Sequence, residues 1–394
     1  MSYNYAYSGN AGAPFGRVAP DYIIRKSGTN YLAEPRFDHI PLRDTSLSDL
    51  WIAINSDLGR GPVVEFSQGT FTADDTLEVF YEQTTILGQG PGASIISLDD
   101  GVDDDLIRNS ASGYYKNTWI SDVTLDGNRD NNAAGKGIEW SVAAATGGTS
   151  LYYAWLTLKN INITECDEDG LYVKSTSGVL TSVVMDSFRI WNNDGHSSGG
   201  HQMYFERVFD SFIGGASKNA VSGMRMNNVT TSHFNNIYVG GGIADIVWLD
   251  GGDSSYTACG NIFTNCRFDN PTGASLRMDD YAQRNVFSGC SFTNFSQSGT
   301  TNTYPCIYVD GNALYNNFYG CFMGHNGIKT DDRWTYAYDE NIDAYSKLIG
   351  CTSGYGAVLA GNAEHFTTDE YRLAGGSHTI ISECYKDSGS AWNA

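Results

Sequence analysis

The residues best suited to chemistry lie in one short acidic turn, Glu165-Cys-Asp-Glu-Asp-Gly170. Hydrolysis of a glycosidic bond needs one carboxyl group as acid and a second as base or nucleophile, either about 5 Å or about 6.5–9.5 Å apart. Carboxylates that crowd together raise each other's pKa, so that one of them can stay protonated as the acid. Asp167 and Asp169 are therefore candidate catalytic residues. The alternatives for them are an ordinary turn and a calcium site, because calcium prefers oxygen ligands.

An aspartate, two histidines and an arginine follow this turn along the chain. Asp194, His196 and His201 come first, and Arg225 comes after them. A lyase would use a base to remove the proton beside a uronate carboxyl group, while a cation neutralises that group. The cations that could do so are Arg225, Arg277 and Lys329. Hydrolase and lyase chemistry both stay open, and loop histidines without a chemical role are the alternative for His196 and His201.

A short repeat places further polar and aromatic residues at regular intervals. Its form is a small residue, an apolar one, any residue and another apolar one, as in Gly170-Leu-Tyr-Val173 and Gly223-Met-Arg-Met226. Such alternation predicts a short strand with one buried face. The intervening side chains then form an outward surface suited to a long sugar chain, and an ordinary solvated face is the alternative. The predicted substrate-binding residues, including two in the bend before one strand, are Tyr172, Asp194, His196, Tyr204, Glu206, Arg277, Asp279, Tyr308, Asp310, Lys329 and Asp331.

A second repeat shows how these strands are held. An apolar residue is followed by another after three places and by a third after two more, as in Phe263/Cys266/Phe268, Phe287/Cys290/Phe292 and Phe318/Cys321/Met323. The pattern recurs about ten times between Ile120 and Cys384, at intervals of 24 to 38 residues. That spacing predicts a strand, a bend and a second strand in each repeat. A period of this length is typical of a solenoid.

The two interleaved repeats predict an all-β fold, a parallel β-helix in which each strand pairs with its equivalent one lap later. Stacked laps build a continuous core that one lap alone cannot form. Helical spacing from Leu47 to Leu58, with Ser46 as N-cap and Gly59 at the end, predicts a helix that caps the first lap. We expect the β-helix over residues 44–385, an N-terminal arm or docking segment over 1–43 and a C-terminal tail over 386–394.

Composition narrows the classes of partner. A formal net charge of −21 argues against binding to nucleic acid or to an anionic membrane. No run of residues is long and apolar enough for a membrane span, and the first residues lack the features of a signal peptide. Five of the eight cysteines recur at one repeat position, which favours buried free thiols over disulfides or a zinc site.

The segment after the predicted helix resembles the opening of the pectate-lyase-like superfamily. The resemblance rests on Gly69-Thr-Phe71, Leu87-Gly-Gln-Gly-Pro-Gly-Ala-Ser-Ile-Ile96 and Ile120-Ser-Asp-Val-Thr-Leu-Asp-Gly-Asn128, and it extends over about residues 45–385. It implies a single-stranded right-handed β-helix. Pro41-Leu-Arg-Asp-Thr45 stands where many free-standing enzymes of the superfamily have Gly-Asp-Gly-x-x-Asp-Asp.

The same resemblance implies action on a polysaccharide. The order of acidic turn, Gly-His and arginine is similar to that of the polygalacturonases, which would make Asp167, Asp169, His201 and Arg225 catalytic; Asn227 stands where their lysine would be. Our leading expectation is a viral tailspike-type depolymerase, extracellular or on the virion surface, without a cofactor unless calcium binds. Such proteins are homotrimers, and residues 1–43 would dock to the virion. The alternatives are a free microbial hydrolase, lyase or epimerase, and a non-catalytic adhesin or structural spike.

Overall fold

Successive laps of the chain lie one above another and pair through parallel strands, which confirms the predicted parallel β-helix. The structure is a computed structural model. It describes residues 19–109, 117–142, 151–152, 155–176, 179–193, 200–215, 223–242, 245–252, 257–293, 304–310, 312–325, 338–340, 345–355, 371–372, 379–382 and 384–386.

Three long sheets run along the stack. Besides three N-terminal strands, the strands of the first sheet are Val63–Phe66, Gly69–Ala73, Thr85–Leu87, Ser94–Leu98, Thr118–Asp126, Leu156–Thr164, Val183–Trp191, Phe212–Gly214, His233–Asn235, Ile262–Thr264, Val286–Ser288, Asn317–Tyr319, Lys347–Ile349 and Ile380–Ser382. Those of the second sheet are Leu77–Val79, Ile107–Asn109, Ile138–Val142, Leu171–Ser175, Met203–Glu206, Met224–Asn227, Val247–Asp250, Leu276–Met278, Ile307–Val309, Tyr338–Glu340 and Tyr371–Arg372. Those of the third sheet are Tyr238–Gly242, Arg267–Pro271, Ser291–Thr293, Phe322–His325, Thr352–Tyr355 and Tyr385–Lys386.

The described residues also form two small sheets. They contain Leu151–Tyr152, Val179–Thr181 and Val208–Phe209 in one, and Ala258–Cys259 and Ala282–Gln283 in the other.

A single residue with left-handed backbone makes the bend inside the apolar triplets whose bend lies in the described ranges. In three laps it is Asn236, Asn265 and Gly289, with φ of 53°, 52° and 61°. Asn tolerates this conformation better than most residues, and Gly adopts it without steric cost. The bend turns the chain between the first and third sheets while the apolar residues on both sides still point inward. This explains the three-then-two spacing of the repeat.

The core is a set of in-register ladders. Phe234, Phe263, Phe287 and Phe318 occupy one position in four successive laps, and their ring centroids are 4.6, 4.7 and 4.8 Å apart with nearly parallel planes. All four are buried. A residue that fits this position in one lap therefore fits it in the next, which is why the triplet recurs in the sequence.

Polar ladders run beside the aromatic one. The Asn285 side chain accepts hydrogen bonds from the backbone N–H and Nδ2 of Asn261, at 3.1 and 2.9 Å, and it donates to Asn316 Oδ1 at 3.0 Å. Buried amides are tolerated here because these donors and acceptors are paired. The five repeated cysteines are buried free thiols, and each donates to a backbone carbonyl one lap earlier, as Cys290 does to Phe263 O at 3.5 Å.

The helix Leu47–Leu58 packs against the first lap, as predicted. Ser46 caps it by accepting a hydrogen bond from Asp49 N at 2.9 Å, and Gly59 ends it in left-handed conformation. Leu47, Leu50, Trp51 and Ile54 are buried. No helix among the described residues is long and apolar enough to cross a membrane.

Strand pairing starts earlier in the chain than the expected boundary at residue 44. Tyr22–Ser27 pairs antiparallel with Asn30–Pro35 through a two-residue turn at Gly28, and it pairs parallel with Val63–Phe66 of the first sheet. Leu42–Asp44 adds a third strand to this hairpin. Strands within residues 19–44 therefore pair with the first sheet, while residues 1–18 and 387–394 lie outside the described residues. The expected division of the chain at residues 43 and 385 stays a prediction.

Candidate functional site

The outward face of the second sheet carries one continuous polar and aromatic surface, which we call the ribbon. It has three rows, each with side chains at equivalent positions of successive laps. The middle row is Glu78, Arg108, Glu139, Tyr172, Tyr204, Arg225, Trp248, Arg277, Tyr308 and Asp339. The outer row is Ser141, Lys174, Glu206, Asn227, Asp250, Asp279 and Asp310. The corner row, where the chain turns into the sheet, is Asp105, Lys136, Asp169, His201 and Asp245.

The three aspartates of the corner row each make the same kind of hydrogen bond. A carboxylate oxygen of Asp105 accepts the backbone N–H of Lys136 at 2.9 Å, and Asp169 does the same for His201 at 2.5 Å. Asp245 accepts the N–H of Ala274 at 2.7 Å. Each carboxylate thus ties its lap to the next, so this bond by itself is structural.

Asp169 differs from the other two aspartates because a histidine lies beside it. Asp169 Oδ1 is 3.3 Å from His201 Nδ1, and the two side chains are 10 % and 16 % exposed. The neighbouring Asp167 is buried, with 2 % exposure. The ring of His201 lies 5.7 Å from that of Tyr204. The predicted residues Asp167, Asp169 and His201 are therefore in adjacent laps at one corner, and Arg225 is one lap further along the middle row.

A second group of charges lies one lap earlier at the same corner. The ammonium of Lys136 is 3.0 Å from Glu139, 3.0 Å from Glu168 and 3.5 Å from Asp105. Burial raises the pKa of Asp105 to about 7; Lys136 opposes this rise and Glu139 adds to it. The pKa of Lys136 is raised by these carboxylates, which outweigh its own burial. This carboxylate and lysine group was not among the predicted site residues, because Asp105 lies before the first copy of either repeat and Lys136 lies just outside the short repeat that starts at Gly137.

The predicted tyrosines form a stacked pair. The rings of Tyr172 and Tyr204 are 4.8 Å apart with 14° between their planes. Tyr204 donates its hydroxyl hydrogen to Glu206 at 2.9 Å, and Glu206 also pairs with Lys174 at 2.9 Å. Burial, together with Glu206, raises the pKa of Tyr204. Each ring therefore covers one face of the other.

An arginine pair encloses a tryptophan in the middle of the ribbon. The guanidinium carbons of Arg225 and Arg277 are 4.1 and 4.8 Å from the centre of the Trp248 ring. The two arginines lie on the laps before and after Trp248, so they stack on its opposite faces. Trp248 was missed from sequence because Ile246 occupies the place that a small residue fills in most other laps. The alternation Val247-Trp-Leu249 is the signal that identifies it.

Carboxylates crowd the ribbon beyond Arg277. Arg277 Nε donates to Asp279 at 2.7 Å, and the Tyr308 hydroxyl donates to Asp310 at 3.1 Å. Burial raises the pKa of Asp279, with Arg277 acting against the rise and the nearby carboxylates of Asp310 and Asp250 adding to it.

Four predicted residues, Asp194, His196, Lys329 and Asp331, lie outside the described residues. In the lap expected to contain Lys329, the strand that pairs with Ile307–Val309 is Tyr338–Glu340. Asp339 therefore occupies the outward position next to Tyr308. In the described ranges, no group of three or more His, Cys, Asp or Glu side chains is arranged to hold a metal ion.

Comparison with known proteins identifies the fold. No protein-family model matches the chain, and no curated protein matches it. The A-module of mannuronan C-5 epimerase AlgE6 from Azotobacter vinelandii is similar in structure, with a TM-score of 0.58 and 16 % identity over 86 % of this chain and 96 % of that one. The AlgE4 A-module from the same organism gives 0.51 and 15 % over 85 % and 92 %.

A tailspike also resembles the chain. The Dettilon tailspike protein gives a TM-score of 0.51 and 11 % identity over 86 % of this chain and 65 % of the tailspike. The chain therefore has the parallel β-helix fold of these structures.

Proposed function

We propose that this protein binds a polysaccharide along the ribbon and acts on it at the corner formed by Asp169 and His201. The observation that carries the proposal is the continuity of the ribbon. Its middle row offers one half-buried polar or aromatic side chain per lap from Glu78 to Tyr308. With strands about 4.8 Å apart, these nine laps extend over about 38 Å. A surface of this length and regularity suits a chain of repeated sugar units better than it suits a small molecule.

The corner of Asp169 and His201 suits proton transfer. Asp169 lies beside Nδ1 of the imidazole and fixes the ring orientation, so the other ring nitrogen, Nε2, points away from Asp169. A histidine held in this way can give or take a proton at a bound sugar. The neighbouring carboxyl groups of Asp167 and Glu168 supply further acid or base groups. In this proposal Arg225, one lap further along, contacts the bound sugar.

Proteins with the same fold support a polysaccharide as substrate. The two Azotobacter modules belong to mannuronan epimerases, and the Dettilon protein is a tailspike. A viral tailspike-type depolymerase is the finer form of our proposal, located outside the cell or on a virion. It includes assembly as a homotrimer and docking through residues 1–43. The mass of the protein in solution tests the trimer, and a monomeric mass would exclude it.

The activity is tested by incubating the protein with a panel of polysaccharides and separating the products by size. Wild type should shorten at least one polysaccharide or change its sugar composition, and Asp169→Asn should lower that rate at least about 100-fold, within the range that proton transfer contributes. Asn keeps the oxygen that accepts the His201 N–H, so the variant should fold. The unfolding transitions of Asp169→Asn and of Asp245→Asn, which changes the equivalent structural carboxylate, control for any loss of stability. An unchanged rate in Asp169→Asn would exclude this corner as the reacting centre.

Binding without reaction is the second candidate function. It is favoured by the bonds of Asp105 and Asp245, which show that a corner aspartate can have a purely structural role. Retention on a polysaccharide with no change in its length or composition would establish this alternative.

A further inference from the structure

The charges of the ribbon limit the kind of sugar that can lie on it. We infer that the polysaccharide is uncharged and that the reaction is hydrolysis. The inference rests on the proposed function, because it concerns the substrate of the same ribbon.

Each cation whose ribbon side chain is described already has a carboxylate partner. Arg108 lies 3.1 Å from Glu78, and Lys174 lies 2.9 Å from Glu206. The other three pairs are Lys136 with Glu139 at 3.0 Å, Arg225 with Asp250 at 3.6 Å and Arg277 with Asp279 at 2.7 Å. These cations are thus already neutralised, and a uronate carboxylate would have to compete with protein carboxylates for them.

The balance of charge on the ribbon is negative. Among the described side chains, five cations face ten carboxyl groups, of which Asp105, with its pKa raised to about 7, is partly protonated near neutral pH. The carboxylates are Glu78, Asp105, Glu139, Asp169, Glu206, Asp245, Asp250, Asp279, Asp310 and Asp339. The whole chain has the same sign, with a formal net charge of −21. An anionic polysaccharide carries a negative charge on many of its sugars, so this negatively charged surface would repel it.

A neutral sugar meets the same surface favourably. Its hydroxyl groups are hydrogen-bond donors, and ionised carboxylates are strong acceptors with room for several donors each. The edges of the stacked Tyr172 and Tyr204 rings add hydroxyl groups beside Glu206. Rows of carboxylates and tyrosine hydroxyls therefore suit an uncharged, hydroxyl-rich chain.

The substrate class then decides the reaction class. β-Elimination and epimerisation both remove a proton beside a uronate carboxyl group, and they need a cation to stabilise the charge that develops there. A neutral sugar has no such carboxyl group. In hydrolysis, a water oxygen bonds to the anomeric carbon as the glycosidic bond breaks. A protein acid gives its proton to the departing oxygen, and a protein carboxylate or imidazole takes one proton from the water.

The test measures binding to polysaccharides of different charge by affinity electrophoresis at about 20 mM and about 500 mM salt, which bracket strong and weak electrostatic interaction. The probes are dextran and mannan as neutral chains, and polygalacturonate and alginate as anionic chains. We expect the protein to bind a neutral chain with little dependence on salt. Anionic chains should bind at least about tenfold more weakly, a ratio that one unfavourable charge contact accounts for, and any binding to them should strengthen as salt screens the repulsion.

Two variants separate this charge effect from others. Asp250→Asn releases Arg225 from its partner and should strengthen binding to polygalacturonate or alginate more than binding to the neutral chains. Glu34→Gln removes an exposed carboxylate on the N-terminal hairpin, where it pairs with Arg25. This variant should change neither the binding to anionic chains nor the binding to neutral chains.

The outcomes distinguish the two proposals. Tighter binding to an anionic chain than to every neutral one, weakened by salt, would overturn the neutral-substrate inference and leave the proposed function standing. Products that absorb as unsaturated uronates would also overturn the neutral-substrate inference and leave the proposed function standing. Binding to no polysaccharide would overturn the proposed function, and this inference with it.

Discussion

The protonation of Asp105 should make the stability of this protein depend on pH. Its pKa is raised from 3.8 to about 7 by burial, against the opposing effect of Lys136. A carboxyl group with a raised pKa in the folded state contributes stability that is fully present below its unfolded pKa. That contribution is lost as pH rises through the folded pKa. The relevant window is therefore about pH 4 to about pH 7.

Replacing Asp105 by Asn isolates this effect. Asn keeps an oxygen for the Lys136 N–H but cannot ionise, so the variant lacks the loss of stability that wild type suffers across the window. A rise from 3.8 to about 7 corresponds to a ceiling of about 4 kcal/mol, at about 1.36 kcal/mol for each pKa unit. Glu139 lies in the same cluster, and its pKa is lowered because its bonds to Asp105 and Lys136 outweigh burial. Because Asp105 and Glu139 titrate as a pair, the expected difference lies below this ceiling.

The assay compares unfolding of wild type and Asp105→Asn at pH 4, 5, 6, 7 and 8 at constant ionic strength. We expect the variant to gain stability relative to wild type as pH rises. Asp104→Asn is the control, because this neighbouring side chain is 38 % exposed against 6 % for Asp105, and we expect a smaller change. A difference between wild type and Asp105→Asn that is constant within about 0.5 kcal/mol from pH 4 to pH 8 would refute the reasoning.

Three further predictions concern the core. Phe287→Ala should cost about 3–5 kcal/mol in unfolding free energy because it opens a cavity in the phenylalanine ladder. Tyr319→Ala on the outer surface should cost much less. Equal losses of unfolding free energy in the two variants would contradict the ladder. Asn285→Ala removes the acceptor of the buried Asn261 N–H and the donor to the buried Ala258 carbonyl, at about 1–3 kcal/mol each. Denaturant titration should therefore show a larger loss than for the half-buried Asn317→Ala. In the native chain a thiol reagent should label no cysteine other than Cys259, since the other seven are buried, and after unfolding it should label all eight. Rapid labelling of Cys290 in the native chain would argue against the stacked thiols.

The ladders of the core could be predicted from sequence because their physical cause is repetition. Phe263, Phe287 and Phe318 align as the triplet spacing required. The N-terminal hairpin was missed because it occurs once and has no repeat to reveal it. Its sequence signal is local, with Gly28 in a two-residue turn between the buried Tyr22 and Ile24 and the buried Tyr31 and Ala33.

The surface was less predictable than the core, because its chemistry depends on neighbours in other laps. Alternation identified Arg225 and Arg277 as outward, but only the strand register shows Trp248 between them. The partner of Arg225 is Asp250, 25 positions away in the chain. Such contacts across laps decide whether a cation can accept an anionic ligand, and intervals between repeats that vary in length hide them from the sequence.

The matching edges of neighbouring laps make the length of the stack adjustable. If residues 261–284 were deleted, Asn285, Phe287, Cys290 and Phe292 would meet the lap below in the positions that Asn261, Phe263, Cys266 and Phe268 now hold. The laps on both sides of the deletion would still pair through equivalent residues. A gene that gains or loses one such unit would lengthen or shorten the ribbon by one lap while leaving both ends of the stack unchanged. The number of units would then set the length of the ribbon independently of the corner formed by Asp169 and His201.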